Sequence, residues 1–172
     1  IDTNQIDYKT LYGSWAGAFG FFQFMPSTIK NHAIDYNKDN YIDLKNPQDA
    51  YASAANYLNN MGWNQNSHCF HKIDLNNDIP KKYLNVSAKK LINKKSLKYF
   101  KKFIKNSNNL DLFNEKLKVA IITPDKDIIP GSETLTPAYI VFDNYEIILK
   151  WNRSLRFALA VCTLKDKIKN VL

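Results

Sequence analysis

Oxygen-bearing side chains recur at alternate positions in a short acidic stretch of the chain. Asp35, Asn37 and Asp39 occupy its first, third and fifth places, and Ile42 stands at the eighth. This spacing matches the opening half of an EF-hand calcium loop, in which alternate residues turn their oxygens inward and an apolar residue anchors the loop. Carboxylate and amide oxygens are the ligands that Ca²⁺ prefers, so the stretch is a candidate metal site.

The remainder of this stretch departs from the EF-hand pattern at two places. Asn40 replaces the usual glycine at the sixth place, although asparagine tolerates the left-handed conformation better than most residues. Asn46 stands at the twelfth place instead of a bidentate glutamate, so Asp49 would be the closing ligand and the Tyr41 carbonyl would complete the set. The alternative interpretation is a solvated turn, rich in Asp and Asn, before a helix.

A stretch of glycine, small and aromatic residues precedes the acidic turn. Small residues at positions 13, 14, 16, 17, 18 and 20 would let a backbone or a ligand approach closely, and Gln23 is an amide among aromatic residues. The residues alone favour tight helix packing, with Gln23 as a buried amide paired to the backbone, because most buried polar groups are simply hydrogen-bonded. A ligand contact by Gln23 is the alternative.

Few residues are available for acid–base or nucleophilic catalysis. The His-Cys-x-His cluster at 68–71 lacks a fourth ligand, which makes a metal site there the less favoured interpretation. The chain has three glutamates, Glu115, Glu133 and Glu146. None of them lies in the apolar, helix-borne setting that raises a carboxyl pKa for acid catalysis, so the sequence contains no evident general acid.

The composition is that of a globular protein with a basic surface. The 172 residues are 45% hydrophobic and 23% charged, which is enough for a substantial core and excludes disorder, collagen and coiled coil. A net charge of +8 favours an anionic partner. Lysines and aromatic residues alternate over 81–105, but no nucleic-acid-binding motif accompanies them. We therefore expect a solvated helix face there and no nucleic-acid partner.

Helix signals surround the candidate residues. Asn46 is a good N-cap, Pro47 suits the first turn and Gly62 suits the end, which together predict a helix. A short basic helix is expected over 87–92. A further helix is expected over 154–171, with these residues facing inward: Leu155, Ala158, Leu159, Cys162 and Ile168.

The domain organisation follows from shifts in composition. Residues 67–135 are polar and rich in lysine, whereas both flanks are more apolar. We interpret 67–135 as a small unit inserted into a core that residues 1–66 and 136–172 form together. Cys69 and Cys162 allow one disulfide in an oxidising compartment but do not require it.

Four sequence blocks, in this order and spacing, resemble the lytic murein transglycosylase B family. They are GSWAGAFGFFQFMPSTI at 13–29, DYNKDNYIDLKNPQDA at 35–50, AANYLNNMGW at 54–63 and the segment 145–161 that contains KWNRS. The resemblance implies an α+β, mainly α fold. In that fold 1–66 and 136–172 form a lysozyme-like core, 67–135 is a small β-rich domain, and the EF-hand-like calcium loop ends at Asp49.

The same resemblance implies a reaction and its setting. Family members cleave the β-1,4 bond between N-acetylmuramic acid and N-acetylglucosamine and close a 1,6-anhydro ring, with one glutamate acting first as acid and then as base. The implied partner is the glycan strand of peptidoglycan, the implied cofactor is a structural Ca²⁺ without any organic cofactor, and the implied location is the periplasm. Any lipid anchor to the outer membrane would lie upstream of this sequence.

The resemblance also assigns substrate contacts. Gln23 would hydrogen-bond the substrate near the scissile bond, and Asn152 would orient the reacting sugar. Trp151 and Phe157 stand where the family tends to have tyrosine, and Phe22 replaces a small residue. The full set of expected substrate-binding residues is Ser14, Gln23, Tyr57, Trp151, Asn152 and Phe157.

The family's catalytic glutamate lies in a helix upstream of the Gly-Ser block, and none of the 12 residues before Gly13 is a glutamate. We therefore expect no catalytic residue within this chain, which would be the C-terminal portion of such an enzyme. The 172-residue chain alone is expected to bind glycan weakly without cleaving it. A non-catalytic peptidoglycan-binding remnant is the alternative.

Overall fold

The described residues, 13–125, 135–169 and 171 of a computed structural model, form five helices, six short strands and two 3-10 turns. The helices are α1 (Pro26–His32), α2 (Pro47–Asn60), α3 (Leu97–Lys101), α4 (Asp143–Trp151) and α5 (Leu155–Lys169). The strands are β1 (Phe70–Leu75), β2 (Leu84–Asn85), β3 (Lys95–Ser96), β4 (Ile104–Lys105), β5 (Lys118–Ile122) and β6 (Ala138–Val141). Two units divide the chain, Ile1–Trp63 and Asn64–Leu172.

Helix α2 is the longest element of the first unit, and its predicted ends are confirmed. The Asn46 side chain accepts a hydrogen bond from the Gln48 amide, and Pro47 occupies the first helical position. Gly62, just past the helix, has a φ of +89°, a conformation that glycine adopts without strain. Capping signals of this kind act within one turn of the helix end.

Polar side chains of α2 hold the end of α1. Ser53 is fully buried and its Oγ accepts a hydrogen bond from the Ile34 amide at 3.0 Å. The side-chain NH₂ of Asn56 donates a hydrogen bond to the His32 carbonyl at 2.8 Å. The second bond satisfies a carbonyl that the C-terminal end of α1 leaves without an intrahelical partner, and the first holds the residues that follow the helix.

A small sheet organises the second unit. Its strand order is β2-β5-β6-β1-β4, and β3 pairs with β5 outside this path. The long pairings are antiparallel, with Ile121 opposite Ile140 and Lys72 opposite Tyr139, whereas β2 joins β5 in parallel. Residues 119–122 of β5 are all buried, as expected for a strand covered on both faces. Strand β6 belongs to this sheet although it lies outside the predicted insert 67–135.

Helix α5 begins one residue after its predicted start and ends at Lys169. Leu155, Ala158 and Cys162 are buried as predicted, but Ile168 is 50% exposed, so its assignment to the inward face is wrong. A disulfide joins Cys162 to Cys69, which directly precedes β1. This bond attaches the middle of α5 to the start of the sheet's longest strand.

Two expectations for the lysine-rich region are wrong. Residues 87–92 form a loop rather than a helix, and the lysines of 81–105 do not share one helix face, because α3 spans only five residues. Three of these lysines instead lie over a pair of hydrogen-bonded tyrosines, Tyr83 and Tyr99. The ammonium of Lys102 is 4.4 Å from the Tyr99 ring centroid, and the hydrogen bond from the Tyr83 hydroxyl, followed by the charges of the nearby lysines, lowers the pKa of Tyr99. None of the described helices is both long and apolar enough to cross a membrane.

Candidate functional site

The acidic turn is a tightly hydrogen-bonded loop. The two carboxylate oxygens of Asp35 accept hydrogen bonds from the amides of Lys38 and Asn40, at 2.7 and 2.9 Å. Asp39 accepts the Tyr41 amide at 2.9 Å. Asn40 has a φ of +72°, so asparagine does occupy the left-handed position at which the EF-hand pattern has glycine.

Asp49 connects this loop to helix α2. Its side chain lies in the first turn of α2 and is fully buried. One carboxylate oxygen accepts the Tyr36 amide and the other accepts the Asp43 amide, both at 2.9 Å. A single carboxylate therefore holds both sides of the loop, and it lies where the positive end of the helix dipole favours a negative charge.

The predicted ligands share this loop, but they do not form a closed coordination shell. Among residues 13–125, 135–169 and 171, no group of three or more His, Cys, Asp or Glu side chains is placed to hold a metal ion. The chemistry of the donors still suits Ca²⁺, because all of them are oxygens. Within the described part of the chain, neither Asp35, Asp39, Asp43 nor Asp49 forms an ion pair.

The weaker metal hypothesis, at 68–71, is wrong. Cys69 is bonded to Cys162, so its sulfur is not available as a thiolate ligand. His68 and His71 both lie edge-on to the Phe113 ring, with centroids 5.0 and 5.8 Å away. Burial lowers the pKa of His71, and the charge on His68 lowers it further.

The glycine-rich stretch forms turns rather than the expected packed helix. Ser14 closes the first turn, because its Oγ accepts the Ala18 amide at 3.1 Å and its carbonyl accepts the Gly17 amide at 2.8 Å. Phe19 and Phe24 then exchange two backbone hydrogen bonds of 2.9 Å. Both phenylalanines are buried, so the turns have an apolar base while Ser14 stays exposed.

Gln23 lies at the tip between the two phenylalanines and is exposed, so the expectation of a buried amide is wrong. Its φ of +51° is unusual for a residue other than glycine and turns its side chain back along the loop. The side-chain NH₂ donates to the Gly20 carbonyl at 2.9 Å. The amide oxygen accepts no hydrogen bond from the described residues, which leaves Gln23 one acceptor free for a ligand.

Gly20 sets the depth of these turns. Its φ is +76°, and a Cβ placed on it would lie 2.5 Å from the Leu44 Cβ and 2.7 Å from the Leu44 carbonyl oxygen. The Leu44 carbonyl also accepts the Phe21 amide at 3.0 Å. Only glycine fits at position 20, because any side chain there would clash with Leu44. The close contact between Gly20 and Leu44 connects the glycine-rich turns to the segment that carries the acidic loop.

Tyr57 lies on the buried face of α2. Its ring is 5.0 Å from His32 and 5.9 Å from Phe24, measured between centroids. Burial raises the pKa of its hydroxyl, so the phenol stays protonated at neutral pH. Phe22 lies edge-on to Tyr51 with centroids 5.3 Å apart. Ser14, Gln23 and Tyr57 are therefore carried by one unit, through the turns and α2.

The other three predicted substrate-binding residues flank the junction of α4 and α5 in the second unit. Trp151 ends α4, Asn152 is extended and exposed, and Phe157 is 39% exposed in the first turn of α5. The Ser154 hydroxyl caps α5 by accepting the Phe157 amide at 3.2 Å. The fully buried Tyr145 of α4 connects the two helices at this junction, because its hydroxyl donates a hydrogen bond to the Leu155 carbonyl of α5 at 2.7 Å.

The described glutamates are engaged in ion pairs. Glu115 accepts a hydrogen bond from the Lys101 ammonium at 2.7 Å, and this bond lowers the Glu115 pKa. Glu146 forms an ion pair with Lys94. A general acid needs a raised carboxyl pKa, which the contact with Lys101 opposes at Glu115. Glu133 lies outside the described residues.

A family comparison connects this geometry to known proteins. The model described as Transglycosylase SLT domain matches residues 1–166. The chain belongs to this family. Among curated proteins, the membrane-bound lytic murein transglycosylase B of Escherichia coli K12 is 49% identical over 59 residues, which cover 34% of this chain and 16% of that protein. The predicted resemblance to the lytic transglycosylase B family is thereby confirmed.

Solved structures of the family share the fold. SltB3 from Pseudomonas aeruginosa, in complex with NAG-anhNAM-pentapeptide, superposes with a TM-score of 0.78 at 29% identity, over 98% of this chain and 43% of SltB3. Escherichia coli Slt35 in complex with calcium gives a TM-score of 0.67 at 25% identity, over 92% of this chain and 46% of Slt35. The chain therefore spans less than half the length of these relatives. The predicted lysozyme-like combination of helices with a small sheet is confirmed.

Proposed function

We propose that this chain is part of a periplasmic peptidoglycan lytic transglycosylase that cleaves the MurNAc-GlcNAc β-1,4 bond and forms 1,6-anhydro-MurNAc. The observation that carries the proposal is the family match over nearly the whole chain. Its relatives add support, because SltB3 was solved both with NAG-NAM-pentapeptide and with the anhydro form, NAG-anhNAM-pentapeptide. The Cys69–Cys162 disulfide suits an oxidising compartment such as the periplasm.

In this proposal the chain supplies substrate contacts rather than the general acid. The free amide oxygen of Gln23 accepts a hydrogen bond from a sugar hydroxyl or acetamido N–H near the scissile bond, and Ser14 and Tyr57 line the same part of the substrate site. Asn152 orients the reacting sugar, and the rings of Trp151 and Phe157 stack on sugar faces.

The catalytic glutamate is proposed to lie in upstream sequence, because Glu115 and Glu146 are held in ion pairs with lysine. One measurement separates an incomplete enzyme from a non-catalytic binding remnant. Purified peptidoglycan is digested with the 172-residue chain and with a polypeptide extended through the native upstream sequence. We expect anhydromuropeptides from the extended polypeptide only. Release by the 172-residue chain would refute the placement of the acid, and inactivity of both would favour the remnant.

The substrate contacts are tested by binding. Titration of the 172-residue chain with a GlcNAc-MurNAc oligomer should give weak binding that Gln23→Ala weakens further, by about 1 kcal/mol, the net contribution of one hydrogen bond. Gln65→Ala is the matched control, since Gln65 is also an exposed amide and lies in the second unit. Equal affinities of the Gln23 and Gln65 variants would remove Gln23 from the proposed site.

We also propose that the acidic loop binds a structural Ca²⁺ through Asp35, Asn37, Asp39, the Tyr41 carbonyl and Asp49, with no organic cofactor in the protein. The proposal is supported by four carboxylates without ion pairs and by the left-handed Asn40. When bound, the cation would offset the mutual repulsion of these carboxylates.

Thermal unfolding with and without added Ca²⁺ tests the metal proposal. A cation present at 100 times its dissociation constant raises the free energy of unfolding by about 2.7 kcal/mol, provided that it binds only the native state. Asp39→Ala should abolish this increase, whereas Asp74→Ala, at an exposed position of β1, should preserve it. If Ca²⁺ does not change the melting temperature of the unmutated chain, the loop does not bind the cation and is only a hydrogen-bonded turn.

A further inference from the structure

Four of the eight residues that line a cavity of about 290 Å³ in the second unit are cations. Lys89 and Lys90 reach it from the loop after β2, and Lys150 and Arg153 reach it from the C-terminal end of α4 and the residues that follow. Glu146 also lines it, but this carboxylate is already paired with Lys94. We call this feature the cationic cleft.

The four cations of the cleft lack acidic partners in the protein. Within 13–125, 135–169 and 171, no carboxylate forms an ion pair with Lys89, Lys90, Lys150 or Arg153. Four like charges around one concavity repel one another, and a bound anion of high charge density relieves this repulsion. Arginine and lysine together are typical of phosphate sites, where the guanidinium binds two oxygens and each ammonium acts as a point charge.

The loop that carries two of these lysines is rigidly attached to the sheet. Asn85, the last residue of β2, is buried, and its side-chain oxygen accepts the Ile92 amide at 2.8 Å. Its side-chain NH₂ donates to the Ile121 carbonyl of β5 at 2.9 Å and to the Ile92 carbonyl at 3.3 Å. The two ends of loop 86–92 are thereby held close together, which fixes where the loop leaves the sheet and returns to it.

Apolar side chains accompany the cations on the same loop. Val86 is 38% exposed and Ile92 is 53% exposed, at the two ends that Asn85 holds together. Inside the cleft, Leu91 and Leu149 provide a buried apolar base. Inorganic phosphate would make no use of the exposed Val86 and Ile92, whereas an anion attached to hydrocarbon would contact both.

From this combination we propose that the cationic cleft and loop 86–92 bind the phosphate headgroup of an anionic lipid at a membrane surface. The phosphate lies among Lys89, Lys90, Lys150 and Arg153, and the apolar side chains of the loop enter the interfacial region of the bilayer. This membrane contact is a property of the folded chain itself, and it is separate from any anchor that upstream sequence could carry.

Co-sedimentation of the 172-residue chain with phosphatidylcholine vesicles, with and without phosphatidylglycerol, tests the proposal. The chain should bind only the anionic vesicles. The double variant Lys150→Gln/Arg153→Gln should bind them about 30-fold more weakly, because each basic side chain near an anionic surface contributes about fivefold. The matched control is Lys167→Gln/Lys169→Gln, which changes the net charge equally on exposed positions of α5 and should lose less than about threefold.

Three further experiments keep the test decisive. If the first double variant melts at a lower temperature, Lys89→Gln/Lys90→Gln replaces it, since both residues lie on an exposed loop. Val86→Ser/Ile92→Ser should weaken binding to the anionic vesicles, and soluble glycerol phosphate should not displace the chain from them at an equal concentration of phosphate.

Four outcomes would overturn the proposal. If the chain does not bind anionic vesicles, the cleft is not a membrane-binding surface. Equal losses of vesicle affinity in the cleft variant and the control variant would indicate diffuse attraction by net charge. Displacement by glycerol phosphate, with no effect of Val86→Ser/Ile92→Ser, would assign the cleft to a soluble phosphate. Displacement by a muropeptide that carries a pentapeptide would assign it to the peptide part of peptidoglycan.

Discussion

Reduction of the Cys69–Cys162 disulfide is expected to destabilise the second unit by an amount that follows from the sequence separation of its two ends. The bond links residues 93 positions apart. In the chain-entropy model, closing a loop of that length lowers the entropy of the unfolded chain enough to contribute about 4.6 kcal/mol at 25 °C. Domains of this size have a net stability of about 5–15 kcal/mol, so reduction should remove about 30% or more of the total.

Urea unfolding of oxidised and reduced protein at neutral pH, followed by tryptophan fluorescence, measures this difference. The reduced chain should unfold at a lower urea concentration and with a larger m value, because its unfolded state is less compact. The control is Cys69→Ala/Cys162→Ala, whose unfolding should not respond to reductant. Both cysteines are fully buried, so the variant also loses packing and should be somewhat less stable than the reduced protein.

A difference between the oxidised and reduced chains below about 1 kcal/mol would refute this reasoning. It would mean that the unfolded chain stays compact without the bond, or that the two thiols do not pair in solution. Alkylation of free thiols followed by mass spectrometry separates these two explanations. Only the first leaves both cysteines protected from the reagent.

Two further predictions concern packing and pH. Gly20→Ala should lower the free energy of unfolding by at least about 2 kcal/mol, because the new Cβ would clash with Leu44. Gly62 has a similar φ but nothing within 4 Å of its Cβ position, so Gly62→Ala should lower the free energy of unfolding by only about 1 kcal/mol. Equal losses for the two variants in urea titrations would contradict the steric explanation. Tyr145→Phe should cost about 1–2 kcal/mol at pH 7, because the buried Leu155 carbonyl loses its donor. Burial raises the pKa of Tyr145 above its unfolded value, so this residue's contribution is complete below about pH 10 and declines as the pH rises further, and the Phe variant should lose stability more gradually there. Parallel pH curves for the two proteins would contradict that assignment.

Sequence reasoning worked best where a structure depends on neighbouring residues. Helix α2 follows from its cap, its first-turn proline and the glycine beyond its end, all of which act within one turn. The left-handed position of Asn40 follows similarly from the spacing of the acidic loop. The inward face of α5 was correct in its first two turns and wrong at Ile168, since periodicity alone does not show where the neighbouring core ends.

The glycine-rich stretch illustrates why other predictions were wrong. Its small residues are compatible with a packed helix, yet Gly17, Gly20 and Gln23 all have positive φ, which excludes one. Gly20 also approaches Leu44, 24 positions further along the chain, and a local pattern of small residues does not show such a contact. Short strands such as β2 and β4, of two residues each, likewise exist only because a distant partner pairs with them.

The catalytic role could not be derived from residue chemistry alone. The proposed substrate-binding residues come from a family resemblance, because an exposed glutamine and an exposed asparagine carry no chemical signal of their own. The cationic cleft was missed because its lysines and its arginine come from segments about 60 residues apart. Only the folded second unit brings them to one cavity.

The double role of Asp49 restricts how this protein can evolve. The carboxylate belongs at once to the first turn of α2 and to the acidic loop, whose two sides it holds through Tyr36 and Asp43. A substitution of Asp49 changes the loop and the helix together. Any residue without two acceptor oxygens leaves one side of the loop without its hydrogen bond, and it also alters the start of the helix that carries Tyr57. In a lineage without a cation, asparagine would keep the shape and one acceptor but present an NH₂ to the second backbone amide. Conservation of aspartate at this position would therefore reflect the architecture of the loop as well as any metal that it holds.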